Sequence, residues 1–265
     1  MTAKELIKAG RLSEARRVLT EEVKNTPADA GARTLLFQVL SLHGEWDKAL
    51  RHLDMISTQD PQRSIGVKTY LDVVQAEKER IRVMGGSVLP SVLPEPPAYF
   101  AQYLDYLKAL REQKYGDARS LVTELASLRP PVTGSMGAWE FEGFSDTDAG
   151  LFAFLEAFVH ERYVWIPFEA IRELQIFEPK TSFDLIWATA SITTWEGLSM
   201  NCCLPVLYPE TFLAADEQIK IGRLTDWVPL GSGLSKAYGQ HVYQIGDEDT
   251  ALLDIREVTF KLEGA

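Results

Sequence analysis

A 34-residue period in the first half of this chain constrains its fold more than any other feature. Gly10-Arg11-Leu12-Ser13-Glu14-Ala15 returns as Gly44-Glu45-Trp46-Asp47-Lys48-Ala49, and each glycine is followed 17 residues later by a proline, Pro27 and Pro61. A third copy, Gln113-Lys114-Tyr115-Gly116-Asp117-Ala118, keeps the spacing to Pro130 but carries Gln113 at the glycine position. The neighbouring Gly116 is a second candidate for that turn. Each position has a physical task. The glycine lets the backbone reverse in a left-handed conformation between two antiparallel helices. Leu12, Trp46 and Tyr115 pack back into the pair, and Ala15, Ala49 and Ala118 let two helices approach closely. The prolines end the second helix, because an interior proline removes a hydrogen bond and clashes.

A helix–turn–helix period of this length resembles the tetratricopeptide repeat, TPR. The expected fold is therefore multidomain, α and α+β. Residues 1–130 form a TPR-like α-α superhelix, and residues 131–265 form a smaller β-rich α+β domain. Between the second and third copies, residues 64–82 read as one amphipathic helix, with Ile65, Tyr70, Leu71, Val74 and Ile81 among its apolar positions. Gly85-Gly86-Ser87 and four prolines from Pro90 to Pro97 then read as a linker inside the array. TPR-like arrays hold extended or helical peptides on a concave face. With Gly44 and Gln113 on the turn position, that face carries Thr34, Gln38, Ser41, Tyr103, Leu107 and Arg111 as candidate protein-binding residues.

Charge divides the chain at the same place. Residues 1–130 hold 19 Lys and Arg against 17 Asp and Glu, whereas residues 131–265 hold 8 against 21. Five of the six tryptophans fall in the acidic part. A net charge of -11 argues against nucleic acid as a partner, since phosphate neutralisation requires clustered cations. No apolar run approaches the roughly 20 residues that span a bilayer. The start has no signal-peptide pattern, and the two cysteines, Cys202 and Cys203, are adjacent and poorly placed for a disulfide. A reducing, cytoplasmic location without membrane insertion is the expectation.

In the second half, residues 134–150 read as a loop with one short strand at 138–141. Residues 148–163 place Leu151, Phe152, Phe154, Leu155, Phe158 and Val159 at helical spacing and read as a helix, with Ser145 or Asp146 near its N-cap. Strand-like segments follow at 164–167, 174–177, 185–192, 204–207, 242–245 and 255–260.

Trp165-Ile166-Pro167-Phe168-Glu169-Ala170-Ile171, Ile192-Thr193-Thr194-Trp195-Glu196-Gly197, Leu207-Tyr208-Pro209 and Gly222-Arg223-Leu224-Thr225-Asp226-Trp227 stand in this order after the TPR-like start. The ordered set, over nearly the full length, resembles the ImpE family, also called the TagJ or SciE type, of accessory proteins of bacterial type VI secretion. The resemblance implies a cytoplasmic adaptor. It further implies a partner, the small subunit of the contractile sheath, bound through an N-terminal helical segment of that subunit. Through it the family is linked to the AAA+ ATPase that disassembles contracted sheath.

Candidate chemistry does not assemble in the sequence. His160-Glu161 lacks the second histidine of a zincin motif, since residue 164 is Val. Cys202-Cys203 lacks metal or redox spacing, and Asp146-Thr147-Asp148-Ala149-Gly150 lacks the ligand set of an EF-hand. Gly231-Ser232-Gly233 has no P-loop Lys-Ser/Thr pair and reads as a turn. No catalytic residue, cofactor or metal is expected. Two competing readings keep a distinct test: a scaffold for another cytoplasmic partner, or an enzyme with Glu140, His160 or Asp226 converging in a deep pocket.

Overall fold

A computed structural model describes residues 1–59 and 64–262, so that Pro61 and the side chain of Ile65 lie outside the described residues. Among the described residues seven helices come first: α1 (Ala3–Lys8), α2 (Leu12–Asn25), α3 (Ala30–Leu42), α4 (Trp46–Gln59), α5 (Ser64–Met84), α6 (Phe100–Arg111) and α7 (Tyr115–Leu128). The repeat positions behave alike in all three copies. Gly10, Gly44 and Gln113 have φ of 72°, 69° and 57°. In each turn the next residue donates its N–H back to a carbonyl five residues earlier: Arg11 to Leu6, Glu45 to Leu40 and Lys114 to Ala109, each at 2.9 Å. This is the helix-ending motif that a left-handed residue permits. Gln113 therefore fills the glycine position itself, while Gly116 lies inside α7. Ala15, Ala49 and Ala118 are completely buried where paired helices meet. The helices α2 and α7 stop just before Pro27 and Pro130.

The proline-rich linker does more than connect. Its Ser91–Val92 forms β1 and pairs in parallel with residues 164 and 165. The strands that follow are β2 (Thr133–Met136), β3 (Trp139–Glu142), β4 (Phe144–Asp146), β5 (Phe154–Val159), β6 (Arg162–Pro167), β7 (Ile171–Ile176), β8 (Trp187–Thr194) and β9 (Ser199–Pro205). After a short α8 (Glu217–Lys220) come β10 (Asp226–Gly231), β11 (Leu234–Tyr238), β12 (Val242–Ile245), β13 (Glu248–Ala251) and β14 (Glu257–Lys261). They build a nine-stranded sheet in the order β1-β6-β5-β9-β8-β7-β14-β2-β3, a three-stranded sheet β13-β12-β4 and the hairpin β10-β11.

The helix expected over residues 148–163 is absent. That stretch is a turn followed by β5 and the start of β6. All but the last residue of β5 are buried, Glu156 included, so both faces of the strand are covered and no in–out alternation is visible. Phe154 and Phe158 point to the helices, whereas Leu155 and Ala157 point to a second core closed by Phe144, Tyr243 and Ile245 of the small sheet. Asp146 and Asp148 cap turns rather than a helix: Asp146 accepts from the Asp148 N–H at 2.8 Å and Asp148 from the Gly150 N–H at 2.7 Å.

The first core runs without a break from the helices into one face of the large sheet. Tyr103 shows why this matters. Its ring meets Tyr106, Phe152, Phe154 and Trp165 at centroid distances of 4.8–6.0 Å, three of those partners lying outside α6. Such aromatic pairs add about 0.5–1.5 kcal/mol each beyond area burial.

Candidate functional site

The inner face of the helical array is occupied by the chain's own second half. Gln38 is buried, donating to the Ser182 carbonyl and accepting from the Ser182 hydroxyl, both at 3.1 Å. One turn earlier Thr34 bonds the Ala30 carbonyl at 2.7 Å, and one turn later Ser41 bonds that of Phe37 at 3.0 Å. On α6, the Tyr103 hydroxyl donates to the Gly150 carbonyl at 2.9 Å and Leu107 is buried in the shared core. Arg111 is exposed and lies across Gly86. The structure thus separates these six residues into two groups, one on α3 facing residues 182–187 and one on α6 facing the 148–150 turn. The repeat turns are engaged as well. A Cβ on Gly44 would stand 2.6 Å from the Phe212 ring, and one on Gly10 would strike the Gln218 side chain.

Between helices and sheet lies a buried ionic network with no counterpart in local sequence spacing. Arg80 of α5 donates to both Glu156 oxygens, at 2.9 and 2.5 Å, and to the Leu207 carbonyl at 2.8 Å. His241 spans two carboxylates, with Nδ1 2.7 Å from Asp146 and Nε2 3.1 Å from Glu156. The Trp187 indole N–H donates to Glu77 at 2.9 Å, and the Tyr163 hydroxyl donates to Glu156. Burial opposes charge on every member. For His241 the two carboxylates outweigh burial and hold the imidazolium up to about 9. Burial also acts to raise Glu156, but Arg80 and His241 override it and hold it down at about 2. Glu77 goes the other way, because burial outweighs the help of Arg80 and Trp187. Burial and the neighbouring Asp146 push Asp148 up to about 6.

This cluster joins layers. Its carboxylates are engaged by side chains and backbone of the same chain, leaving them committed partners rather than free acids or bases. Glu140, His160 and Asp226 are exposed and stand on separate elements, with His160 in the turn between β5 and β6. Among the described residues, no group of three or more His, Cys, Asp and Glu is arranged to hold a metal ion. Among the described residues, no helix is long and apolar enough to cross a membrane.

Open concavities remain at the seams. A groove of about 550 Å³ runs between α1, α3 and residues 179–186, floored by Ile7, Leu35 and Leu42 and rimmed by Lys4, Lys8 and Lys180. A pocket of about 240 Å³ holds Leu107 and Arg111 against Met84, Trp165 and Leu230. Thr34 borders a shallow apolar hollow with Phe37, Leu53 and Tyr70. The lysine rim was not among the residues singled out from the sequence. A legible signal for it is the i, i+4 pair Lys4/Lys8 on the same helix as Ile7.

Comparison with known proteins bears on this architecture. The sequence profile of the ImpE protein family matches residues 139–259, and a tetratricopeptide repeat profile matches residues 6–67. The chain is 34% identical to the type VI secretion system accessory component TagJ of Pseudomonas aeruginosa, over 98% of its own length and 92% of that protein. The crystal structure of protein VPA1032 from Vibrio parahaemolyticus has the same fold, with a TM-score of 0.90, 19% identity, and coverage of 99% and 98% of the two chains. The ordered motifs, the matching profile and an alignment to TagJ that spans 98% of the chain at 34% identity converge: this chain belongs to the ImpE family.

Proposed function

We propose that the chain is a non-enzymatic accessory component of type VI secretion, acting in the cytoplasm. In this reading it is an adaptor that holds a helical segment of the small contractile-sheath subunit. Through that subunit it is linked to the AAA+ ATPase that disassembles contracted sheath. The likeness to TagJ across both halves supports the setting. The observation that carries the adaptor role is chemical. The buried ionisable cluster is engaged by partners within the chain, with Glu77 and Arg80 bordering one small cavity and Asp148 the 240 Å³ pocket, while the 550 Å³ groove, among the described residues, is lined by apolar, lysine, arginine and neutral polar side chains, without a carboxylate, imidazole or thiol. Such a surface suits recognition of a polypeptide better than acid–base chemistry.

A co-purification experiment tests the reading. The full chain retains the small sheath subunit encoded in the same genome, and loses it when the N-terminal segment of that subunit is deleted. Equal retention with and without the segment contradicts the proposed mode of binding.

A further inference from the structure

We infer that the groove between α1, α3 and residues 179–186 seats an amphipathic helix whose apolar stripe is flanked by Asp and Glu. The inference rests on the adaptor reading and gives it a location and a partner chemistry. Three observations carry it. First, the charge of the rim is opposite to that of the molecule. The chain carries -11, yet Lys4, Lys8 and Lys180 surround this groove, all exposed and none in an ion pair among the described residues. Asp184, beside the rim, is already held by the N–H groups of residues 180 and 181, at 2.8 and 2.7 Å. Uncompensated cations around an apolar floor attract an acidic partner and fix its orientation.

Second, the secondary structure of the walls selects a helix over a strand. The lining residues come from α1, α3, residues 179–186, Val206, the 221–223 turn and Leu253. None of them belongs to a β-strand, so an extended peptide would find no ladder to join there. A helix bonds its own backbone and presents only side chains to the groove. Third, the rim is braced. Arg223 donates to the Lys8 carbonyl at the end of α1 and, at 3.2 Å, to Gln218. Gln38 ties the floor of α3 to Ser182. Both halves of the molecule therefore contribute to one preformed cleft with lysines from α1 and from residue 180 in its lining.

The test uses the full chain and two designed helical peptides of about 16 residues, each with Leu at i, i+3, i+4 and i+7. One has Glu at the flanking positions and its twin has Lys. Calorimetry is expected to give the Glu peptide at least about tenfold tighter binding than the twin, and the gap narrows as salt rises. The triple variant K4E/K8E/K180E, at exposed positions that leave the melting temperature unchanged, reverses the preference. K114E, at the α6–α7 turn, leaves it intact. Equal binding of the twins, binding of neither, or an unaltered preference in the triple variant overturns the inference. The small sheath subunit separates this from the adaptor reading. If wild type and triple variant bind it equally, the groove is wrong and the adaptor stands. If wild type does not bind it, the adaptor reading fails, and the peptide pair still judges the groove.

Discussion

The Nδ1 of His241 lies 2.7 Å from a carboxylate oxygen of Asp146, and both side chains are almost fully buried. With Glu156 on the other ring nitrogen, the imidazole is held as a cation between Asp146 of β4 in the small sheet and Glu156 of β5 in the large one. Arg80 brings α5 to the same carboxylate. Fold and electrostatics are therefore coupled at the junction of helices and sheet, and stability should report the protonation of these groups.

The pH dependence has a defined sign. His241 is raised from 6.5 to about 9 in the fold, so its contribution is fully present below about 6.5 and is lost as pH rises through about 9. Asp148, raised to about 6, adds a smaller loss as pH rises through that value, and Glu156, lowered to about 2, a loss as pH falls from 4.5. The melting temperature should fall by about 4–8 °C between pH 6.5 and 9.5. Thermal scans of His241→Gln should lose most of that alkaline slope. A wild-type melting temperature flat over this interval contradicts the assignment.

Removing one member of the network should cost more than removing two. Arg80→Met leaves Glu156 buried without its guanidinium, at a cost of about 3–5 kcal/mol by denaturant unfolding. Adding Glu156→Gln should recover part of the loss. Additive penalties would mean that the two residues do not act as a pair.

The third repeat offers a stabilising change. Gln113 holds φ of 57° where the other copies use glycine. Gln113→Gly relieves the left-handed strain but frees the unfolded chain, and a net gain of about 0.5–1 kcal/mol is expected. Gln113→Val should lose stability, because a branched side chain tolerates that backbone poorly.

Residues 1–130 should not form a rigid domain alone. Without the second half, Phe37, Tyr103, Tyr106 and Leu107 lose the rings and turns that cover them. The fragment is expected to retain helical circular dichroism, bind a hydrophobic dye and unfold without a sharp transition. A cooperative melt near that of the full chain would show that the proposed division at residue 130 separates independent units.

The helical half was legible because its signals are local. Gly10, Gly44, the alanines and the prolines impose turns, close approach and ends within one 34-residue unit, and the α-helices follow. What fills the inner face was not legible, since periodicity identifies the side on which Gln38 and Tyr103 stand but not their partners, Ser182 and Gly150. The same limit hid the network, whose members Arg80, Glu156 and His241 lie 76 to 161 residues apart. For residues 148–163 the cause was different. A strand buried on both faces has continuous apolar character, which fits a helix template as readily as a strand.

The proposed adaptor role of this ImpE-family chain stands or falls with its binding of a helical segment of the small sheath subunit. Titration calorimetry of the full chain with a peptide of the N-terminal segment of that subunit tests it most directly. Saturable binding of about one peptide per chain is expected, with a Kd well below 100 μM, in the range of peptide–groove interactions. No heat of binding at 100 μM in low salt, with the chain shown folded by its thermal melt, would contradict it.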